Sequence, residues 1–172
     1  MTPSEFISKY SIAVVQAVIG TKLFPSVKMA QLALETGWGK SVKGNNMTGI
    51  KASSGWTGKV ISFTTREVIG GVSKYFTGTN QVYNSMSAVP ANADKQTLFR
   101  YYDSTTDSIK DHSLFLQQNA RYANAGVFSA TTPQAQADAL QKAGYATDPN
   151  YAKTLKLLIK TYDLERLDQK KK

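Results

Sequence analysis

Apolar positions recur at helical spacing toward both ends of the chain and give way to alternation in the middle. Phe6, Ile7, Tyr10, Ala13, Val14 and Ala17 share one face of a helix that starts after Thr2 or Ser4 and runs to about Ile19, where Gly20 stops it. Pro25 suits a first helical turn and opens a second helix whose apolar face takes in Val27, Ala30 and Leu34, with Gln31 at its edge. Residues 40–54 are rich in glycine and asparagine without a sustained period, which predicts a structured loop. From Trp56 the texture turns to strand. Val60, Ser62 and Thr64 alternate with Ile61, Phe63 and Thr65, Gly70-Gly71 signals a turn, and residues 98–102 give a second strand-like run. Residues 75–95 show no period and read as an insertion in a small β lobe spanning 56–102. Helical spacing then returns. Ser104 with Asp107 starts a helix that buries Ile109, Phe115 and Leu116 and reaches about Asn119. Thr132-Pro133 opens another that Gly144 closes, and Asp148-Pro149 starts the last, striped by Tyr151, Leu155, Leu158, Ile159 and Tyr162. Helices, a strand lobe and helices again predict a mainly helical α+β fold.

Composition narrows the class. A chain of 172 residues with 41% hydrophobic and 19% charged positions suits one globular domain, drawn here as residues 1–165 followed by a basic tail at 166–172. No apolar run approaches the ~20 residues that cross a bilayer. The opening MTPSEFISKYS lacks a basic segment followed by an apolar one, so no secretion signal is visible in it. The absence of cysteine excludes disulfides, thiolate metal sites and cysteine nucleophiles. The single histidine, His112, excludes a multi-histidine metal site and reads as a structural, hydrogen-bonded residue. A net charge of +9 calls for an anionic partner. Cell wall and nucleic acid both qualify by charge, but the lysines are spread along the chain and no basic helix or aromatic RNA motif accompanies them, so nucleic acid is not expected.

The candidate chemistry lies in residues 31–51, QLALETGWGKSVKGNNMTGIK. Glu35 closes the second helix, and Gly37, Gly39, Gly44 and Gly49 then turn the backbone. A glutamate at a helix C-terminus is ordinarily a solvated surface group, yet it sits against the negative end of the helix dipole. A carboxyl partly shielded there by apolar helix and by Trp38 would have a raised pKa and could act as an acid near neutral pH.

The runs Ala30-Gln31, Leu34-Glu35-Thr36-Gly37-Trp38-Gly39-Lys40-Ser41 and Asn45-Asn46-Met47-Thr48-Gly49-Ile50-Lys51 are followed in order by Thr64-Thr65-Arg66-Glu67, Phe99-Arg100-Tyr101-Tyr102-Asp103-Ser104 and Ala143-Gly144-Tyr145-Ala146-Thr147-Asp148-Pro149 with Tyr151-Ala152. Together they resemble the N-acetylglucosaminidases of glycoside hydrolase family 73, which include autolysin domains and flagellar peptidoglycan hydrolases, over residues 2–159. The resemblance implies a lysozyme-like fold with a helical lobe and a small β-hairpin lobe flanking a substrate groove. It implies Glu35 as general acid, Glu67 as the carboxylate facing it, and Tyr145 as a contact to the acetamido group or the developing charge. By composition alone Glu67 is an ordinary strand-end acid and Tyr145 a packed ring. Trp38, Asn45, Asn46 and Tyr102 are further candidates for shaping a sugar site, the two asparagines being equally suited to capping turns. Thr48 departs from the aromatic residue that family members often carry, which puts a stacking contact there in doubt.

No metal or cofactor is implied. The expected activity is that of an endo-β-N-acetylglucosaminidase cutting the β-1,4 bond between N-acetylglucosamine and N-acetylmuramic acid in peptidoglycan, by an inverting or a substrate-assisted route. The alternatives are a muramidase or lytic transglycosylase on the same scaffold, or a wall-binding module without turnover. The expected partners are glycan strands and the anionic wall surface. The expected state is a monomer acting outside the cell, in the wall or in the periplasm.

Overall fold

The computed structural model describes residues 1–170, so Lys171 and Lys172 of the expected tail lie outside them. Its elements are α1 (Pro3–Val18), α2 (Pro25–Thr36), β1 (Val60–Ser62), β2 (Thr65–Ile69), β3 (Val72–Phe76), β4 (Val82–Tyr83), β5 (Leu98–Arg100), α3 (Thr105–Gln118), α4 (Ala120–Asn124), α5 (Pro133–Lys142) and α6 (Tyr151–Thr161). They form two compact units, one of Met1–Ser41 with the chain from Ile109 onward, the other Val42–Ser108.

The first unit is helical and is built around α2, which packs against α1, α5, α6 and a C-terminal 3-10 segment, Leu164–Lys170. α1 starts at a reciprocal cap: Thr2 Oγ1 accepts from the Glu5 amide, and the Thr2 amide donates to the Glu5 carboxylate. Phe6, Val14, Val18, Met29, Leu32, Leu140, Leu155, Ile159 and Leu164 are buried together in the core.

Because neighbours surround α2, it is buried on nearly every side from Pro25 to Ala33, which alters the face expected of it. Leu34 is exposed, whereas Lys28 and Gln31 are both 1% exposed. The tail boundary also moves. Leu167 is buried, and the Asp168 carboxylate accepts from the Ser26 amide and hydroxyl, both at 2.8 Å, so the chain stays part of the unit beyond residue 165. That carboxylate supplies the cap that Phe24 cannot give α2, and it places a negative charge at the positive end of the helix.

The second unit holds an antiparallel sheet in the order β4-β1-β5 and a separate hairpin, β2-β3, that turns at Gly70-Gly71. Val60 lies opposite Tyr83 on one side and Arg100 on the other. Its small core is Ala52, Val60 and Leu98, against which Trp56, Tyr83, Met86, Val89 and Ala93 pack. The alternation read as one strand across 60–65 is two, interrupted after Ser62. β3 is not among the expected strands, and its last two residues fall in the periodless stretch 75–95. Val72, Ser73, Lys74 and Tyr75 are all exposed, so neither face of this strand had to be apolar.

Candidate active site

Glu35 occupies the last turn of α2, and that turn is fixed from both sides. Gly37 takes the left-handed conformation (φ 55°, ψ 49°), which a side chain would resist, and its amide reaches back to the carbonyls of Ala33 and Leu34. Thr36 Oγ1 donates to the Leu32 carbonyl at 2.7 Å and accepts from the Gly39 amide at 2.8 Å. Trp38 is itself left-handed at φ 60°, an uncommon state for a bulky residue, and its amide bonds the Ala33 carbonyl. The Trp38 ring stands edge-on to Phe6 and Tyr162, at 5.6 and 4.8 Å between centroids. These contacts brace the reversal that follows Glu35.

The Glu35 side chain is open at its surface, and among the described residues no group forms a hydrogen bond or ion pair with its carboxylate. Protein nonetheless fills most of the volume around the carboxyl. This desolvation raises its pKa from 4.5 to about 7. Exposure and desolvation coexist where a carboxyl meets water on one side only. Such a group can hold a proton near neutral pH and still deliver it to something in solution.

Lys28, Gln31 and Glu35 follow one another at helical spacing along α2. Gln31 Nε2 donates to the Tyr151 hydroxyl at 3.1 Å, and the Tyr151 ring stacks on Tyr145 at 5.4 Å. The Tyr145 hydroxyl lies 2.9 Å from His112 Nε2, and His112 Nδ1 lies 2.8 Å from Lys28 Nζ. Burial pushes both phenols well above their ordinary range, and the charge of Glu35 adds to each rise. Tyr145 and Tyr151 are therefore electrostatic neighbours of Glu35. Tyr145 is mostly buried and only partly open at the surface, whereas Lys28 and His112 are fully buried. Desolvation drives both the Lys28 amine and the His112 imidazole well below their ordinary values, so both favour the neutral form.

The remaining candidates lie in the second unit. Glu67, on β2, forms a 2.8 Å ion pair with Lys51 and accepts from Thr65 Oγ1 at 3.2 Å. Lys51 Nζ also donates to Gln96 Oε1 at 2.6 Å. Asn46 is buried, and its amide serves its own loop: Nδ2 donates to the carbonyls of Ile50 and Arg100, and Oδ1 accepts from the Thr48 and Ile50 amides. Asn45 is left-handed, and its Nδ2 donates to the Tyr102 carbonyl at 2.7 Å. Tyr102 is buried with its ring against Trp56. These asparagines hold residues 45–50 in shape.

Sequence reasoning left Lys28, Gln31, Tyr151 and Lys51 outside the candidate set and gave His112 no role in the site. One available signal was a lysine seven residues before Glu35 on a helix otherwise rich in apolar positions.

Comparison with known proteins follows the same outline. A family model named Glucosaminidase and described as mannosyl-glycoprotein endo-β-N-acetylglucosaminidase matches residues 12–164. The chain is 39% identical to the peptidoglycan hydrolase FlgJ of Pseudomonas aeruginosa over 132 residues, which cover 73% of this chain and 28% of that protein. The FlgJ of Salmonella typhimurium is 36% identical over 76% of this chain and 37% of its own length. The chain thus spans about a third of the curated relatives it matches. Among solved structures, a C-terminally truncated glycoside hydrolase domain of Salmonella typhimurium FlgJ superposes with a TM-score of 0.68 at 31% identity, covering 94% of this chain and 97% of that one.

Proposed function

The chain belongs to the glucosaminidase family, and from that premise we propose that it is a peptidoglycan hydrolase, an endo-β-N-acetylglucosaminidase that cuts the β-1,4 bond after N-acetylglucosamine. The observation that carries this proposal is Glu35: a carboxyl with no hydrogen-bonding partner among the described residues, open to solvent on one side, whose desolvation raises its pKa to about 7. It has the properties of a general acid for a glycosidic oxygen.

In the proposed reaction Glu35 gives its proton to the leaving oxygen as the bond from that oxygen to the anomeric carbon breaks. The carbon develops oxocarbenium character and is captured by a water, or first by the carbonyl oxygen of the substrate's own acetamido group and then by water. Either way one water is consumed: where Glu67 is the base it takes that water's proton and Glu35 is reprotonated from solvent, and in the acetamido route Glu35 takes the proton back itself. We assign Glu67 the part of base or electrostatic partner, consistent with a carboxylate held in an ion pair. Tyr145 is assigned to the acetamido group, as a partly buried phenol within the electrostatic reach of Glu35. The proposed setting is the cell wall or periplasm, with the protein acting as a monomer. No helix among the described residues is long and apolar enough to cross a membrane.

The test is digestion of purified cell walls by the wild type, Glu35→Gln and Glu67→Gln, with mass spectrometry of the fragments. New reducing ends of N-acetylglucosamine are expected from the wild type, with a loss of about 10³-fold or more in Glu35→Gln. Fragments with reducing or anhydro muramic acid ends would instead make the protein a muramidase or lytic transglycosylase. Adsorption without released sugar would make it a binding module.

A further inference from the structure

Lys28, His112 and Tyr145 form a hydrogen-bonded chain that begins in the core of the first unit and ends at a phenol that is only partly buried. We propose that Lys28 and His112 are positioning residues that fix the sense of the Tyr145 hydroxyl, so that it donates inward to His112 and turns an acceptor oxygen toward the substrate's acetamido N–H. This inference rests on the assignment of Tyr145 to the acetamido group.

The geometry permits two directions of donation. In one, Lys28 donates to Nδ1, Nε2–H donates to the phenol oxygen, and the phenol hydrogen points outward. In the other, the phenol donates to Nε2, and Nδ1–H donates to the lysine nitrogen, which must then be an uncharged amine with a free lone pair. Lys28 is 1% exposed, and no carboxylate partners it among the described residues, so a charge there would be left buried and uncompensated. Its burial favours the neutral amine, in keeping with the direction of its pKa.

With all three groups neutral, acidity orders the chain. Phenol is a stronger donor than imidazole N–H, and imidazole N–H a stronger donor than an amine. The amine lone pair is in turn the strongest acceptor of the three. The second direction therefore matches each donor to the better acceptor, and neighbouring bonds in such a chain reinforce one another.

The consequence is chemical. A phenol oxygen whose proton is engaged behind it carries extra electron density. It can accept from the N–H of an N-acetyl group, and its hold strengthens as that group gains positive charge when its carbonyl oxygen closes on the anomeric carbon. A phenol pointing its hydrogen outward would compete for that same carbonyl oxygen and blunt its attack. The proposed sense thus favours substrates bearing a 2-acetamido group.

His112 is the protein's only histidine, so its two ring nitrogens can be read by ¹⁵N NMR without assignment. In the wild type we expect the proton on Nδ1 and a neutral ring from about pH 5 to 8. A proton on Nε2, or an imidazolium, overturns the proposal, and this measurement needs no variant. In Lys28→Met the tautomer should shift toward Nε2–H. We expect kcat on wall fragments to fall about tenfold with KM within about twofold, the mark of an interaction made mainly in the transition state. Adding Lys28→Met to Tyr145→Phe should then cost nothing more, whereas a purely structural role would multiply the two losses and refute the coupling. A wild type inactive on walls would defeat the proposed function yet leave the tautomer result readable, so the two failures are distinguishable.

Discussion

Under the proposed function Glu35 bears on both chemistry and stability, and its raised pKa makes the two separable. The folded carboxyl keeps its proton up to about 7, whereas an ordinary glutamate releases it near 4.5. Between those values the native state binds more protons than the unfolded chain, so stability falls as pH rises through the window. Glu35→Gln removes this dependence. Relative to the wild type, the variant should gain on the order of 1 kcal/mol between about pH 5 and pH 8, a figure reduced from the full shift because the carboxyl is open to screening water. Urea unfolding at the two pH values measures it, and a difference between the two proteins that does not change with pH would contradict the raised pKa. With Glu35 as the proposed acid, the same proton would set the rate: wild-type kcat/KM should fall about tenfold per pH unit above about 7. At this scale the sequence was legible where one residue's neighbours along the chain decide its fate. Glu35 at a glycine-broken helix end is such a case. Lys28 is less so: its place on an apolar helix hints at burial, but the partner that gives it a role lies 84 residues away in the sequence.

At the scale of elements, α2 carries the site, and its two ends are secured differently. The C-terminal end uses residues within the same stretch, Thr36 and Gly37, while the N-terminal end depends on Asp168 from the far end of the chain. Asp168→Ala removes two short hydrogen bonds and a favourable charge from the first turn, a loss of about 1–3 kcal/mol. For a chain of this size that lowers Tm by roughly 3–10 °C in a thermal melt, whereas a tail merely trailing from residue 166 would leave it unmoved. This contrast explains what the hydrophobic pattern could and could not deliver. α1, α2, α3, α5 and α6 each have an apolar stripe with local start signals, and they were found near their true limits. The five-residue α4, the exposed strand β3 and the ordered segment at 164–170 lack that stripe. β3 owes its place to pairing with β2, and Leu164–Lys170 to burial of Leu164 and Leu167, neither of which leaves a period in the sequence.

For the whole molecule the governing quantity is charge. The excess of 21 basic over 12 acidic residues is distributed through both compact units, each of which is net positive. Several acidic groups are already matched: Glu67 by Lys51, Asp103 by Lys59 and Asp138 by Lys156. The remaining field is therefore carried by many lysines at once, and under the proposed function it would act on a polyanionic wall before any sugar reaches Glu35. Such attraction is screened over about 8–10 Å at physiological salt and over about 3 Å at 1 M. Adsorption to isolated walls, measured by sedimentation, should weaken at least tenfold as sodium chloride rises from about 0.05 to 0.5 M. Cleavage of a short uncharged N-acetylated oligosaccharide should change less than twofold over the same range, since Glu35 is an acid by desolvation and not by pairing with an ion that salt could screen. Replacing any one exposed lysine should shift the adsorption curve only slightly. A single substitution that abolished binding would locate a discrete anion site and refute the view that the charge works as a whole.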